Sequence, residues 1–192
     1  MTLDAFVEMT SHPGSVGRAA RRVAVDLRWC SEARELALRY RLEGDADRLL
    51  VPAPRTPRRA DGLWRHTCFE AFVQPAQQDG YLEFNFSPSG EWAAYGFDQR
   101  RKGLRNLELP APPGIDCTHG AGQLELCVTL RLDSLPVLPL CLGLTAVVED
   151  RDGALAYWAL RHPAGPPDFH DPESFTLRLE PAGPAPAASI DA

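Results

Sequence analysis

Long hydrophobic segments are missing from this 192-residue sequence, and lysine and methionine are scarce. No run approaches the roughly 18 apolar residues that a transmembrane helix needs, so the sequence predicts no membrane span. Lys102 is the one lysine beside 19 arginines, and the formal net charge is -6. Domains that bind nucleic acid usually carry a basic surface, so this charge balance argues against nucleic acid as a partner.

Close cysteine pairs are missing as well. The 5 cysteines are scattered along the chain without a Cys-X-X-Cys motif. This distribution favours neither a disulfide framework nor a zinc site. The N-terminal segment also lacks the apolar stretch of roughly 7–15 residues that a secretory signal peptide contains. Together these features predict a protein of the reducing cytoplasm.

A two-residue periodicity runs through most of the chain and is its clearest structural signal. Apolar and polar side chains alternate in the segments 22–30 and 36–42, a pattern typical of strands with one buried face. The 18 prolines and 15 glycines divide the chain into short segments separated by turns. Further strands are predicted at 49–51, 69–73, 81–86, 92–97, 123–132, 142–149, 154–160 and 174–180.

About ten short strands with regular turns, and no long amphipathic helix, are typical of an all-β protein. The predicted fold class is an antiparallel β-sandwich that forms one domain over residues 22–180. We expect residues 1–21 to be a loose leader and the Pro/Ala-rich residues 181–192 to be a disordered tail. The predicted core contains Val23, Leu36, Leu38, Phe69, Val73, Leu82, Phe84, Phe86, Leu126, Val128 and Val147.

The two central strands, 69–73 and 81–86, are joined by a hairpin-sized loop and carry different chemistry on their two faces. Alternation puts the apolar side chains on one face and Glu70, Glu83 and Asn85 on the other. Three explanations of the polar face remain open: a face exposed to water, a buried polar network, or a surface that lines a ligand site.

Two groups of residues raise the question of catalysis or metal binding. Glu70 and Glu83 could be the acid and base of a glycosidase, because such enzymes use two carboxylates about 5–9 Å apart. The loop residues His162, Asp168, His170 and Asp171 offer imidazole and carboxylate ligands for a transition metal. No nucleophile elbow, P-loop, HExxH or dinucleotide motif accompanies them. We therefore predict no catalysis and no metal site, and keep the glycosidase as an alternative.

The densest basic cluster lies in a proline-rich segment and contains Arg55, Arg58 and Arg59. A solvated loop explains it most simply. Guanidinium groups also bind phosphate and carboxylate, so a phosphate-bearing ligand or an acidic partner is the other explanation. A module that binds another protein through these three arginines is therefore an alternative function.

Three motifs occur in order along the chain: LWRHTCFE at 63–70, YLEFNFSPSG followed by WAAYGFD within 81–98, and YWAL, HP and PDFH within 157–170. In this combination the sequence resembles bacterial DOMON-like proteins, which are relatives of carbohydrate-binding module family 9. The resemblance covers about residues 22–180. It implies a single β-sandwich that holds a ligand between its sheets or at one end.

Domains of that group bind sugars or haem, so the resemblance implies one of these two ligands. Haem iron in the cytochrome members uses methionine with histidine or lysine, whereas the methionines here, Met1 and Met9, fall in the predicted leader. We therefore expect no haem cofactor, and name His66, His162 and His170 as the ligand candidates if haem binds. A sugar site needs aromatic faces and a few convergent polar groups, and the sequence supplies both.

The predicted function is non-catalytic binding of a sugar or a sugar-containing small molecule. Loops gather at the ends of a sandwich, so we expect one pocket to bring together residues of the central strands and of the segment 158–170: Glu70, Asn85, Trp92, Trp158, His162, Asp168 and His170. The alternative is that Asp168 and His170 only pin the loop 162–170. The predicted ligand-binding residues are Trp64, Glu70, Glu83, Asn85, Trp92, Tyr95, Trp158, His162, Asp168 and His170.

Overall fold

The computed structural model describes residues 2–45, 47–133 and 139–180, which form two antiparallel sheets packed face to face. Two short 3₁₀ turns, at Leu63–Arg65 and Pro172–Ser174, are the helical segments of these ranges, and neither is long and apolar enough to cross a membrane. The strands in chain order are β1 (Thr2–Glu8), β2 (Thr10–Ser11), β3 (Ala20–Cys30), β4 (Glu35–Gly44), β5 (Cys68–Pro75), β6 (Tyr81–Phe86), β7 (Trp92–Phe97), β8 (Arg105–Asn106), β9 (Gly114–Gly120), β10 (Gln123–Arg131), β11 (Leu140–Glu149), β12 (Leu155–Ala159) and β13 (Leu177–Leu179).

The described strands divide into a five-stranded and an eight-stranded sheet. The five-stranded sheet has the order β1-β3-β4-β10-β9. The eight-stranded sheet has the order β2-β12-β11-β5-β6-β7-β8, and β13 pairs with β11 beside this path. Every pair of neighbouring strands is antiparallel. The predicted antiparallel β-sandwich is therefore confirmed.

The main core lies between the two sheets. Alternate residues of β4, among them Leu36, Leu38 and Tyr40, are buried there against Phe69 of β5. Burial of such side chains stabilises the fold by about 1.5–3 kcal/mol each. The Tyr40 hydroxyl crosses the core and donates a hydrogen bond of 2.9 Å to the backbone carbonyl of Glu70. This bond joins the two sheets directly and satisfies a buried polar group.

A second apolar cluster covers the outer face of the eight-stranded sheet. Its rings include Phe72, Tyr81 and Phe97 from the strands and Phe175 from the C-terminal segment. Phe72 stacks on Phe175, and Tyr81 stacks on Phe97. Val147, which the sequence places in the main core, is buried in this outer cluster instead. The central strands of this sheet are consequently covered on both faces.

Residues 2–21 differ from the loose leader that the sequence predicts for residues 1–21. Strand β1 pairs with β3 along its whole length, and Leu3, Ala5 and Val7 pack against the main core. Strand β2 pairs with the end of β12, so this segment contributes to both sheets. β1 is an edge strand whose outward residues include Phe6, which interrupts the expected alternation of apolar and polar positions. The two-residue pattern is therefore weak in this segment.

Two further segments differ from the prediction. In the predicted strand 49–51, Leu49 forms a single isolated β-bridge with Asp150. This bridge does not extend into a ladder of paired residues. Strand β9 lies in a stretch where the sequence predicts none, and it pairs with β10 at the edge of the five-stranded sheet. Residues 181–192, for which a disordered tail is predicted, lie outside the described residues.

A buried carboxylate fixes the connection that carries the chain into β3. Asp150 is 1% exposed, and its two oxygens accept hydrogen bonds from the backbone N–H groups of Arg18 (2.8 Å) and Ala19 (2.9 Å). The guanidinium of Arg48 lies 3.1 Å from the same carboxylate. The side chain therefore satisfies backbone donors that no strand pairs.

We expect Asp150→Ala to destabilise the protein, because it leaves the buried N–H of Ala19 and the part-buried N–H of Arg18 without acceptors, and a buried unsatisfied donor costs roughly 1–3 kcal/mol. The melting temperature should fall by about 5–10 °C, since roughly 2–4 °C corresponds to 1 kcal/mol in a domain of this size. Asp152→Ala, in the same turn but exposed, is the matched control in calorimetry. Equal melting temperatures for the two variants would contradict the role of Asp150.

Candidate functional site

The register of β5 and β6 decides which side chains reach the outer face of the eight-stranded sheet. Phe69 opposes Phe86 and Glu70 opposes Asn85, so each pair shares one face. Thr145 of β11 lies opposite Glu70 on its other side. Polar residues of three adjacent strands therefore form one row on the outer face, as alternation predicts.

An open cleft of about 760 Å³ lies over this outer face. Strand residues, among them Glu70, Glu83 and Val147, form its floor, and the segments 61–65 and 101–106 line it from the connecting loops. The remaining lining comes from Pro167, Phe169 and His170 and from the rings of Tyr95, Phe97 and Tyr157. We call this space the outer-face cleft. Its size is within the range of small-molecule sites, which is roughly 300–1,000 Å³.

Two buried carboxyl groups lie at the floor of the outer-face cleft. The Thr145 hydroxyl donates to Glu70 Oε2 (3.1 Å), and the Asn85 amide donates to Glu83 Oε1 (2.7 Å). Burial raises the pKa of Glu70 to about 8, and the nearby carboxylate of Glu83 adds to this shift. Burial also raises the pKa of Glu83, although the Asn85 hydrogen bond opposes the shift. Glu70 is therefore mostly protonated at neutral pH.

A histidine and a tyrosine adjoin this floor. His170 Nδ1 and the Tyr81 hydroxyl are hydrogen-bonded at 2.8 Å, and His170 Nε2 lies 3.7 Å from Glu83 Oε2. Burial lowers the pKa of His170 to about 4, and the positive charge of Arg101 contributes. The imidazole is therefore neutral at neutral pH and brings no positive charge to the two carboxyl groups.

The mouth of the outer-face cleft carries an exposed aromatic ring. Trp64 is 50% exposed, and the guanidinium of Arg65 lies 5.4 Å from its ring centre. The segment that carries Trp64 is attached to the sheet by the Tyr95 hydroxyl, which donates to Asp61 Oδ1 (2.6 Å). Arg59 reinforces this attachment, because it lies 2.9 Å from Asp61 and over the Tyr95 ring.

The loop that follows β12 is held by ion pairs. Asp168 lies between Arg100 (2.6 Å) and Arg101 (2.8 Å), and its Oδ1 also accepts the His170 N–H (3.0 Å). Burial alone would raise the pKa of Asp168, but the hydrogen bonds from both arginines bring it below its ordinary value. Arg100 also pairs with Asp171 (2.7 Å). These contacts place Phe169 and His170 at the cleft.

His162 lies in the same loop but is not among the residues that line the outer-face cleft. Its Nε2 is 2.9 Å from the Thr10 carbonyl oxygen, and its ring meets the edge of His12. His12 Nε2 is in turn 3.0 Å from the Gly165 carbonyl oxygen. This pair of histidines therefore anchors the loop to β2 and the residue that follows it.

Trp92 and Trp158 lie on the other side of the sheet. Trp92 opposes Phe86, and Trp158 opposes Ala146, which pairs with Phe69. These five residues form one row on the inner face, where both indoles pack against the main core. The expectation that the two tryptophans meet Glu70 in one pocket is therefore wrong, because strand alternation directs them to the opposite face.

The structure thus brings part of the predicted set together. Five of its members line the outer-face cleft, while Asn85 and Asp168 support the residues that do. Sequence reasoning missed Phe97 and Tyr157, although alternation places Phe97 with Tyr95, and Tyr157 opposite to Trp158. It also missed Arg101 and Phe169, whose positions depend on loops. Whether any of these residues binds a ligand stays a prediction. The five predicted residues that line the outer-face cleft are Trp64, Glu70, Glu83, Tyr95 and His170.

The arginine cluster of the proline-rich segment is engaged within the protein. Arg55 and Arg58 lie 3.7 and 2.8 Å from Glu91, and Arg59 pairs with Asp61. The arginines therefore stabilise the segment that leads to Trp64.

No group of three or more metal-ligating side chains is found in the part of the chain that the structure describes.

We expect Glu70 to make the free energy of unfolding fall as pH rises from about 6.5 to 8; below about 6.5 the lowered pKa of His170 acts in the opposite direction and offsets this effect. Folded Glu70 keeps its proton to pH about 8, whereas an unfolded glutamate releases it near 4.3, so unfolding releases a proton in this interval. The slope contributed by one such group is at most about 1.4 kcal/mol per pH unit. Glu70→Gln should flatten the pH dependence measured by urea titration, and Glu125→Gln on the other sheet should not. Identical slopes in the wild type and Glu70→Gln would refute this.

Comparison with known proteins gives structural neighbours. The sequence matches no protein-family model and no curated protein. A protein from Bacteroides uniformis, described as "a putative carbohydrate-binding protein", is 14% identical and has a TM-score of 0.59 over 92% of this chain and 86% of its own. A family 9 carbohydrate-binding module from Caldicellulosiruptor kristjanssonii, in complex with cellotriose, is 10% identical and has a TM-score of 0.52 over 97% and 88%. At these identities the similarity shows a common β-sandwich fold, and it does not show the DOMON-like relationship.

Proposed function

We propose that this protein is a non-catalytic carbohydrate-binding domain whose ligand occupies the outer-face cleft. The observation that carries the proposal is the half-exposed Trp64 ring at the mouth of a cleft whose floor holds buried polar groups. An exposed indole at the edge of a cleft with a few polar groups is a suitable contact surface for a small molecule that has both an apolar face and polar groups. A sugar is a suitable partner, because it has an apolar C–H face and a polar hydroxyl edge.

The composition of the cleft suits both parts of a sugar. The rings of Trp64, Tyr95 and Tyr157 offer flat apolar faces. The carboxyl groups of Glu70 and Glu83 offer oxygens that can accept hydrogen bonds from hydroxyl groups. Small-molecule sites generally combine a mostly apolar lining with a few polar groups that fix orientation. The structural neighbours support this ligand class, since the family 9 module is in complex with cellotriose.

The placement of the two glutamates favours binding over catalysis. Glycosidases use carboxyl groups that flank the scissile bond from two sides. Glu70 and Glu83 are diagonal neighbours on adjacent strands of one floor, and Thr145 holds the first while Asn85 holds the second. Both groups therefore approach a ligand from the same side.

Haem binding and protein binding through the arginine cluster are the two other candidate functions, and the contacts of the residues concerned support them less. Of the three histidines considered as haem ligands, His170 lines the outer-face cleft, whereas His66 is exposed and lies 2.7 Å from Glu149. His162 is engaged with Thr10. A protein-binding role for the arginine cluster would have to compete with the internal ion pairs of those side chains.

We expect Trp64→Ala to weaken saccharide binding at least tenfold, because truncating a central aromatic contact often costs 2 kcal/mol or more and about 1.4 kcal/mol is tenfold. The measurement is isothermal titration calorimetry with an oligosaccharide that a glycan array has first identified as a ligand. Folding should be unchanged, since the ring is half exposed.

Phe6→Ala is the matched control. Phe6 is 53% exposed on the five-stranded sheet, and Arg41 lies over its ring much as Arg65 lies over Trp64. Its removal should leave the affinity unchanged. If both variants bind as tightly as the wild type, the ligand does not occupy the outer-face cleft. If no saccharide binds at all, the proposed function is wrong.

A further inference from the structure

The floor of the outer-face cleft has more hydrogen-bond acceptors than donors. The Glu70 carboxyl receives one hydrogen bond, from Thr145, and the Glu83 carboxyl receives one, from Asn85. The Asn85 side chain is 1% exposed, and its Oδ1 is buried without a hydrogen-bond partner. Asn85 lies directly opposite Glu70 on the same face. Even with a proton on Glu70, the two floor carboxyl groups therefore have more acceptor sites than donors, whereas the unpartnered Asn85 oxygen is buried and Asn85 is not among the residues that line the cleft.

The floor also has no fixed positive charge within ion-pair distance among the described residues. Glu70 has no basic partner, and Glu83 has His170 at 3.7 Å, whose lowered pKa of about 4 keeps it neutral. Arg101 lines the cleft but is paired with Asp168. Arg65 lies over the Trp64 ring at the mouth. The hydrogen bonds from Thr145 and Asn85, and for Glu83 the more distant charge of Arg101, favour the charged forms, but burial outweighs them and the pKa of both carboxyl groups is raised.

The walls of the outer-face cleft are rich in aromatic faces. Trp64, Tyr95, Phe97, Tyr157 and Phe169 all line it. An ammonium group within about 6 Å of such a ring centre is attracted by the electron-rich face. A surface that combines aromatic faces with carboxyl oxygens is complementary to a group that carries positive charge and only donates hydrogen bonds. An ammonium group has these properties, with three donors and no acceptor.

We propose that the floor of the outer-face cleft binds a protonated amino group, so that the preferred ligand is an amino sugar. This inference rests on the proposed function and adds the chemical class of the ligand. Glu70 and Glu83 are the specificity-determining residues, because their oxygens supply both the acceptors and the compensating charge. The aromatic walls contact the rest of the sugar ring.

The charge balance in the cleft explains why a neutral sugar would bind less well. A hydroxyl group can use the free acceptors, but it brings no positive charge that would favour the ionised form of either carboxyl group. Bringing an ammonium group beside Glu70 favours ionisation of the carboxyl, and an attraction between opposite charges then adds to the hydrogen bonds. The other acid at the cleft, Asp61, is already paired with Arg59. Selectivity therefore depends on the two floor glutamates.

The test compares three oligosaccharides of equal length at pH 6: a glucosamine oligomer, its N-acetylated form and a glucose oligomer. Isothermal titration calorimetry on the wild-type protein should give at least tenfold tighter binding of the glucosamine oligomer than of the other two. Glu70→Gln and Glu83→Gln, which keep the shape but remove the charge, should each reduce this ratio by several-fold. Binding of the glucose oligomer should weaken less than binding of the glucosamine oligomer in either variant, because it loses hydrogen-bond acceptors but no opposite charge.

Glu125→Gln is the charge-matched control, because Glu125 lies on the five-stranded sheet, away from the cleft. It should keep the full preference for the glucosamine oligomer. Circular dichroism and thermal melting identify a variant that does not fold, in which case the wild-type comparison of the three ligands decides alone.

Each remaining outcome separates this inference from the proposed function. Equal affinities for the three oligomers would overturn the amino-sugar inference and leave carbohydrate binding intact. A preference that persists in the double variant Glu70→Gln/Glu83→Gln would overturn the assignment to these residues. No binding of any saccharide would overturn both proposals.

Discussion

The register between β5 and β6 is the constraint on which the outer-face cleft depends. Side chains alternate along a strand, so a slip of one residue would send every side chain of one strand to the other face. With Glu70 opposite Asn85, phenylalanine rings fill the core and acidic groups reach the cleft. The Tyr40 hydroxyl supports this register from the other sheet, because it binds the Glu70 backbone carbonyl across the core.

Coverage on both faces of the eight-stranded sheet gives the cleft its electrostatic character. An antiparallel sheet commonly leaves one face to water, where a carboxylate keeps its ordinary pKa. Here the outer cluster of Phe72, Tyr81, Phe97 and Phe175 shields the same face that carries the two glutamates. Their raised pKa values therefore follow from the fold. The face is neither a wet surface nor a fully closed polar network, since an open cleft lies over it.

Most of the fold could be predicted from alternation alone, and so could the face shared by Glu70, Glu83 and Asn85. Alternation of side chains cannot be followed through a turn, because the turn itself decides which face of the sheet the first residue of the next strand occupies. The turn before β7 closes with a hydrogen bond from Ser87 N–H to the Glu91 carbonyl, and it directs Trp92 into the core. Within β7, the same alternation then assigns Tyr95 and Phe97 to the cleft. Residues on loops, such as Phe169, depend on ion pairs between distant segments that no local pattern contains.

The loop that supplies Phe169 and His170 is anchored at several separate points before any ligand arrives. His162 is hydrogen-bonded to the Thr10 carbonyl, and the Tyr81 hydroxyl is hydrogen-bonded to the His170 ring. Arg100 and Arg101 both form ion pairs with Asp168. Ordering a flexible wall would cost conformational entropy at the moment of association, and a wall that is already ordered avoids this cost. Ligand affinity in such a cleft should then reflect direct contacts, and association should proceed without a slow rearrangement of the protein.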